Sequence, residues 1–103
     1  MTQATHNISH NSNTWETLTI TTTSGCSIMV SLTASSEGVD FGYATRLDAA
    51  QAIANYQIRV SGTSSQSYTY TIPAGTHTIH FGYVKDSSVS SRNDNVTVAV
   101  AVQ

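Results

Sequence analysis

Two histidines, His77 and His80, stand three residues apart in the stretch GTHTIHFGY, at a spacing that suggests a pair of metal ligands. The stretch alternates polar and apolar residues, which predicts a β-strand. Residues three apart in a strand lie on opposite faces, so the two imidazoles cannot share one ion unless a bulge intervenes. We therefore expect no metal site at this pair. We attribute the spacing of His6 and His10, in the polar N-terminal stretch, to chance.

A second candidate metal site is the polar loop SSVSSRN, which Asp86 and Asp94 flank. Calcium takes six to eight oxygen ligands, and two carboxylates, several hydroxyls and backbone carbonyls would supply some of them. The alternative, which we favour, is that these side chains satisfy backbone groups in a turn. Arg92 within the loop and Lys85 just before Asp86 complete the set of candidate ligand-binding residues.

One Trp and five Tyr offer flat rings that could stack on sugars. Tyr43, Tyr56 and Tyr83 fit the alternation of buried positions, so we assign them to the core. Trp15, next to the polar N-terminal stretch, is the best candidate ligand-binding ring, although a buried Trp is the more common case.

Charge and motifs exclude several classes of function. Charged residues make up 10% of the chain, against about 25% in ordinary soluble domains. The formal net charge is −2 with four basic side chains, too few to neutralise a phosphate backbone. No basic amphipathic segment or long apolar run predicts membrane insertion. The sequence contains no nucleophile elbow, no phosphate-binding loop and no pair of carboxylates that we expect to face each other across a cleft. We therefore do not expect an enzyme, and the one cofactor we consider is calcium.

The cysteine content and the N-terminus predict the folding compartment. Cys26 is the single cysteine, so no disulfide forms within the chain. The start MTQATHNISH has no apolar core of a secretory signal. We therefore expect folding in a reducing cytoplasm.

Short alternating segments separated by turn residues recur from Trp15 to the C-terminus and predict about seven or eight antiparallel strands in an all-β sandwich. We divide the chain into an N-terminal arm, 1–14, and a sandwich domain, 15–103. The alternation places on inward faces the following residues: Leu18, Ile20, Ile28, Val30, Leu32, Val39, Phe41, Tyr43, Leu47, Tyr56, Ile58, Val60, Tyr68, Tyr70, Ile72, Ile79, Phe81, Tyr83, Val96, Val98, Val100 and Val102.

Two segments leave alternatives open. In DAAQAIAN, Asp48 could cap one or two helical turns with Asn55 at a left-handed exit, or the segment could be a loop between strands. Asp40 and Asp48 fall on the outward face of the preceding strand. In the last strand, Ala99 and Ala101 either contact another subunit or are small residues tolerated at the surface.

The ordered motifs SSE, VDF, VSG, YTIPAGTHTIHFGYVKD and SSVSS, spread over 35–94, resemble lectin-like jelly-roll modules related to MAM and concanavalin-type sandwiches. Such modules are appended to bacterial and phage surface proteins. Arg92 stands where that pattern usually has Gly, and NVTVAV replaces its closing strand. The resemblance implies a jelly-roll sandwich, a non-catalytic accessory role and a structural partner for the ring of His77.

These observations predict a non-enzymatic protein displayed on a surface, with two alternatives for its setting. The first is a phage virion component, folded in the host cytoplasm, such as a capsid decoration protein, fibre or tail appendage. It would contact neighbouring proteins through the N-terminal arm, form a homo-oligomer and bind host glycans weakly. The second is a carbohydrate-binding accessory module of a secreted, extracellular bacterial protein.

Overall fold

The computed structural model of the protein describes residues 3–8, 13–35, 40–84 and 95–102. These residues form eight β-strands and one turn of 3-10 helix at Ile53–Asn55, and none of the helical structure among them is long and apolar enough to span a bilayer. The strands are β1 (Gln3–Ile8), β2 (Thr14–Thr22), β3 (Cys26–Ser35), β4 (Phe41–Thr45), β5 (Tyr56–Ser61), β6 (Thr63–Ile72), β7 (Gly75–Val84) and β8 (Asn95–Val102).

The strands form two four-stranded sheets that pack face to face. Sheet A has the order β1-β8-β3-β6, and sheet B has the order β2-β7-β4-β5. Every pairing is antiparallel. Successive strands change sheet, except at the β4–β5 hairpin, so that the chain winds as a double Greek key, which is the jelly roll. The predicted all-β jelly-roll sandwich is therefore confirmed.

Part of the predicted N-terminal arm belongs to a sheet. Residues 3–8 form β1, the edge strand of sheet A, and pair in register with β8 from Gln3 opposite Ala101 to Ile8 opposite Val96. The segment QATHNI has little apolar content, so its pattern did not reveal a strand. Backbone hydrogen bonds to β8 are available to any non-proline sequence, and they place this segment at the sheet edge.

The core lies between the sheets and follows the predicted alternation on most strands. Fully buried apolar side chains come from both sheets, and Leu18, Ile20, Leu47 and Val102 pack partly buried against them. The buried cluster comprises Ile28, Val30, Leu32, Ala34, Ala44, Ile58, Val60, Tyr70, Ile72, Ile79, Phe81, Tyr83, Val96, Val98 and Val100. Burial of these side chains supplies the main driving force for folding.

The faces of β4 are the reverse of the prediction. Gly42 and Ala44 point inward, and a Cβ atom on Gly42 would lie 2.7 Å from Val96 Cγ2 in the opposite sheet. Phe41 and Tyr43 therefore lie on the outer face of sheet B, because side chains alternate along a strand. The predicted face was wrong because the larger apolar residues were assigned to the space between the sheets, where only small ones fit at β4, although Tyr43 is buried on the outer face.

A β-bulge reverses the position of Tyr56 on β5. Ala44 pairs with Ile58, but the next residue, Thr45, pairs with Tyr56, so β5 has one extra residue at Gln57. A bulge of this kind redirects the following side chain. Tyr56 accordingly leaves the inward series of Ile58 and Val60, in which the sequence analysis placed it, and joins the outer face of sheet B.

The segment from Arg46 to Asn55 is a closed loop with a single 3-10 turn, not an α-helix. Asp48 does not cap a helix but has a left-handed backbone with φ of 61°. The loop ends meet through a hydrogen bond from the Arg46 amide to the Asn55 carbonyl, 2.8 Å long.

Asp40, expected at the surface, is fully buried, with the Tyr83 hydroxyl 3.5 Å from its carboxylate.

Sheet A is uncharged. None of its four strands contains Lys, Arg, Asp or Glu, and in the strands of sheet B such residues occur only at Glu16 and Arg59. The outward positions of sheet A carry mainly hydroxyls, and two pairs bond across β3 and β6: Ser31 with Ser67 at 2.8 Å and Thr33 with Ser65 at 3.2 Å. Ala99 and Ala101, half-buried, lie between β1 and β3 in this sheet.

We predict that the substitution Gly42→Ala destabilises the protein by about 1–3 kcal/mol, the usual cost of overpacking a core. The new methyl group would overlap Val96, a stiff β-branched side chain that cannot easily move. Urea denaturation of the two proteins gives the difference in the free energy of unfolding.

Gly25→Ala is the matched control. A Cβ there would lie 3.7 Å from the Ile72 carbonyl oxygen, an ordinary contact, so its effect should stay within about 0.5 kcal/mol. A second test is the background Val96→Ala, in which Gly42→Ala should cost less. Equal losses at both glycines would contradict the close approach of the sheets.

Candidate functional site

The outer face of sheet B carries a row of residues contributed by all four of its strands. Trp15 of β2 lies opposite Gly82 of β7, Gly82 lies opposite Tyr43 of β4, and Tyr43 lies opposite Arg59 of β5. Residues directly opposite each other share a face of the sheet. We call this row and its neighbours Phe41 and Tyr56 the aromatic face.

Three rings of the aromatic face form a continuous cluster. The ring centroids of Phe41 and Tyr43 are 6.2 Å apart, and those of Tyr43 and Tyr56 are 5.5 Å apart, both with tilted planes. These distances are typical of favourable aromatic pairs. The Arg59 guanidinium carbon lies 4.6 Å from the Phe41 centroid, within the range of a cation–π contact.

Gly82 makes room for the indole of Trp15. A Cβ atom on Gly82 would lie 2.5 Å from the Trp15 ring carbon Cζ3, so the indole lies directly over the glycine backbone. The ring is half-buried, and its packing on β7 fixes its position on the sheet surface. Trp15 is thus neither buried between the sheets nor fully exposed to solvent.

Exposure differs across the cluster. Tyr43 lies at the centre of the cluster and is 7% exposed. Burial raises the pKa of the Tyr43 hydroxyl, and the nearby Arg59 charge opposes that rise. Tyr56 is 41% exposed at the rim. A ligand would therefore meet the Tyr56 ring, with the Arg59 guanidinium as the nearby hydrogen-bond donor.

Flat rings beside a polar donor suit the apolar faces of sugar rings, and this arrangement has no nucleophile or acid–base pair among its members. The sequence pattern indicated Trp15 as a candidate ligand-binding residue but did not indicate Phe41, Tyr43, Tyr56 or Arg59. One signal was present: in FGYA, two small residues alternate with two aromatic ones, and small residues mark a tightly packed inner face. No comparable pattern in the sequence predicted the bulge at Gln57.

His77 and His80 lie on opposite faces of β7, as predicted, and have different partners. His77 Nδ1 is 2.7 Å from the Asp48 carboxylate, in the loop after β4. His80 Nδ1 is 2.8 Å from the Thr17 hydroxyl on β2. The expected structural partner of the His77 ring is therefore Asp48.

Asp48 fastens its loop to β7 by three contacts. Its amide donates to the Thr78 carbonyl at 2.7 Å, and its carboxylate accepts from the Thr78 amide at 2.9 Å and pairs with His77. The hydrogen bond from the His77 ring lowers the pKa of Asp48, with help from the Thr78 amide. The same bond raises the pKa of His77.

The other predicted ligand-binding residues, Lys85, Asp86, Arg92 and Asp94, lie outside the described residues, and so does the calcium site predicted at Asp86 and Asp94. Within the described part of the chain, no group of three or more His, Cys, Asp or Glu side chains is arranged to hold a metal ion. Cys26 is a free, half-buried thiol.

Comparisons of the chain with protein-family models, with curated proteins and with solved structures find no match. The resemblance to lectin-like jelly-roll modules therefore stays a prediction that rests on the motifs quoted above. The fold and the aromatic face carry the functional argument.

We predict that Asp48→Asn removes a pH-dependent part of the stability. The folded-state pKa of His77 is raised. The contribution of its protonated ring to the free energy of unfolding is therefore complete below about pH 6.5 and is lost as the pH rises through the raised pKa. Because the pKa of Asp48 is lowered, its contribution is present above about pH 3.9 and is lost as the pH falls through the lowered value. The two proteins should differ most between those limits, in urea denaturations run across the pH range.

Asn suits this test because it tolerates a left-handed backbone and keeps an acceptor for the Thr78 amide. The control is the same substitution in a His77→Gln background, where the decline of the difference above pH 6.5 should disappear. In NMR titrations, the pKa of His77 should fall toward about 6.5 in the Asp48→Asn protein. An unchanged pKa would show that the ion pair does not form in solution.

Proposed function

We propose that the protein is a non-enzymatic structural and adhesion protein displayed on the surface of a phage virion, as a capsid decoration protein, fibre or tail appendage. The observation that carries the proposal is the strand order β1-β8-β3-β6 and β2-β7-β4-β5. This eight-stranded jelly roll recurs in viral capsid proteins and in lectins. The uncharged, hydroxyl-rich surface of sheet A suits a protein that packs among repeated neighbours.

The adhesion part of the proposal rests on the aromatic face. Its half-buried Trp15, its exposed Tyr56 and the Arg59 guanidinium lie on one face of hydrogen-bonded strands, which suits weak contact with host-surface glycans. Because several rings are packed against each other, little side-chain entropy is lost on binding. Multiple copies on a particle would raise the overall affinity through avidity.

The second candidate function is a carbohydrate-binding accessory module of a secreted bacterial protein. The aromatic face favours it as much as it favours the virion role, because both use the same rings. The two candidates differ in where the chain is found.

Contacts of residues 1–14 with neighbouring proteins also stay a prediction, and residues 3–8 already pair with β8 of the same chain.

We predict that the protein co-sediments with phage particles in a density gradient of a lysate from the source culture, and that an antibody against it labels intact particles. This outcome would support the virion role. Recovery of the chain from the culture medium as part of a longer polypeptide, with none on particles, would overturn that role and favour the accessory module.

We predict that Tyr56→Ala weakens glycan binding by about tenfold, because a ring contact worth about 1.4 kcal/mol is lost. A glycan array printed with bacterial and animal surface oligosaccharides identifies the strongest ligand, and calorimetry compares the variants. Running both with calcium and with a chelator also tests the calcium site predicted at Asp86 and Asp94.

Tyr68→Ala is the matched control. Tyr68 is also 41% exposed, but it belongs to sheet A, away from the aromatic face, so its removal should leave glycan binding unchanged. Equal losses from both variants, or no array signal under either condition, would contradict a glycan site on sheet B. The particle experiment would still stand, since it does not depend on sugar binding.

A further inference from the structure

Among the strands that the structure describes, β6 is an edge strand without the charges, prolines or bulges that protect such edges. It is ten residues long, and its other side pairs with β3 without a break in register from Thr63 to Ile72. The strand contains no charged residue and no proline, and no bulge interrupts it. A long, regular, uncharged edge presents unpaired N–H and C=O groups that can accept another strand.

The other edge strands differ from β6. β2 carries Glu16, and β5 carries Arg59 and has six residues, with a bulge. β1 also has only six residues. Charges, short length and bulges all discourage edge-to-edge pairing. Among the four edges, β6 therefore offers the longest continuous backbone for a partner.

The side chains of β6 match a second copy of the same strand. Its outward positions are all hydroxyls: Thr63, Ser65, Ser67, Thr69 and Thr71. On its paired side, β6 already forms hydroxyl–hydroxyl bonds with β3, at Ser31 with Ser67 and Thr33 with Ser65. An antiparallel copy of β6 would face hydroxyls with hydroxyls in the same way, and such cross-strand pairs are favourable.

Charge favours the same partner. Two copies of β6 side by side bring no like charges together, because neither strand has any. Eight of its ten residues are exposed, with Tyr70 and Ile72 as the buried exceptions. The exposed Tyr68 ring packs against Tyr70 with centroids 4.8 Å apart, so an apolar surface lies beside the free edge.

We propose that β6 is a self-association site, at which two copies of the chain pair β6 with β6 in antiparallel orientation about a two-fold axis. The pairing joins two four-stranded A sheets into one continuous sheet of eight strands. An isologous contact of this kind closes on itself and yields a dimer. The inference does not rest on the proposed function.

The test measures mass by light scattering and sedimentation from micromolar to millimolar protein. The wild type is expected to shift from the monomer mass of 11.0 kDa to twice that value as its concentration rises. Thr69→Lys places two like charges at the paired edges, and it should raise the dissociation constant at least about tenfold. A wild type that stays monomeric throughout overturns the proposal.

Thr19→Lys is the matched control, because Thr19 is also an exposed threonine and lies within β2, an edge strand of sheet B. It should leave the mass distribution of the wild type unchanged, and an equal effect from both lysines would overturn the proposal. Hydrogen exchange of the unmodified protein gives a second readout. Amides within 63–72 should gain protection from exchange as the concentration rises. Gained protection at β1 or β2 instead would overturn the proposal, because the contact would then involve another edge.

Discussion

The two sheets approach each other so closely at β4 that no side chain fits at Gly42, and the exterior of sheet B depends on this constraint. Val96 of sheet A and Val60 of β5 occupy the space that a Cβ would need. With Gly42 and Ala44 fixed inward, the alternation of the strand sends Phe41 and Tyr43 outward. Two rings therefore lie on the outer face of sheet B, where Phe41 is half-buried and Tyr43 is covered by its neighbours, and the aromatic face is a consequence of how the core is packed.

Two local devices extend that face. A single extra residue at Gln57 brings Tyr56 to the same side as Tyr43. The absence of a side chain at Gly82 allows the indole of Trp15 to lie flat on β7. Both devices cost regular β-structure something, since a bulge leaves a residue unpaired and a glycine weakens a strand. What the bulge at Gln57 and the glycine at position 82 provide is the placement of Tyr56 and Trp15 on the aromatic face.

The two sheets present different surfaces to the surroundings. Sheet A is uncharged and hydroxyl-rich, and the long strand β6 is one of its edges among the described strands, which suits contacts between protein chains. Sheet B carries the rings and Arg59, which suits a small polar ligand. The loop at Asp48 stabilises one end of sheet B through His77 and Thr78 without taking part in either surface. The proposed structural and adhesion role would use both sheets at once.

The sequence by itself determined the fold class, because period-two alternation and turn residues record which backbone is extended and where it reverses. It also separated His77 from His80, since that result follows from strand geometry alone. It could not show that residues 3–8 form a strand, because pairing with β8 uses backbone groups that every sequence has. Only the tertiary structure decided which face of β4 is inward and where Tyr56 lies. The first choice depends on the distance to Val96 in the opposite sheet, which decides whether the small or the aromatic residues of FGYA face inward. The second depends on a one-residue offset between strands, which no local pattern records.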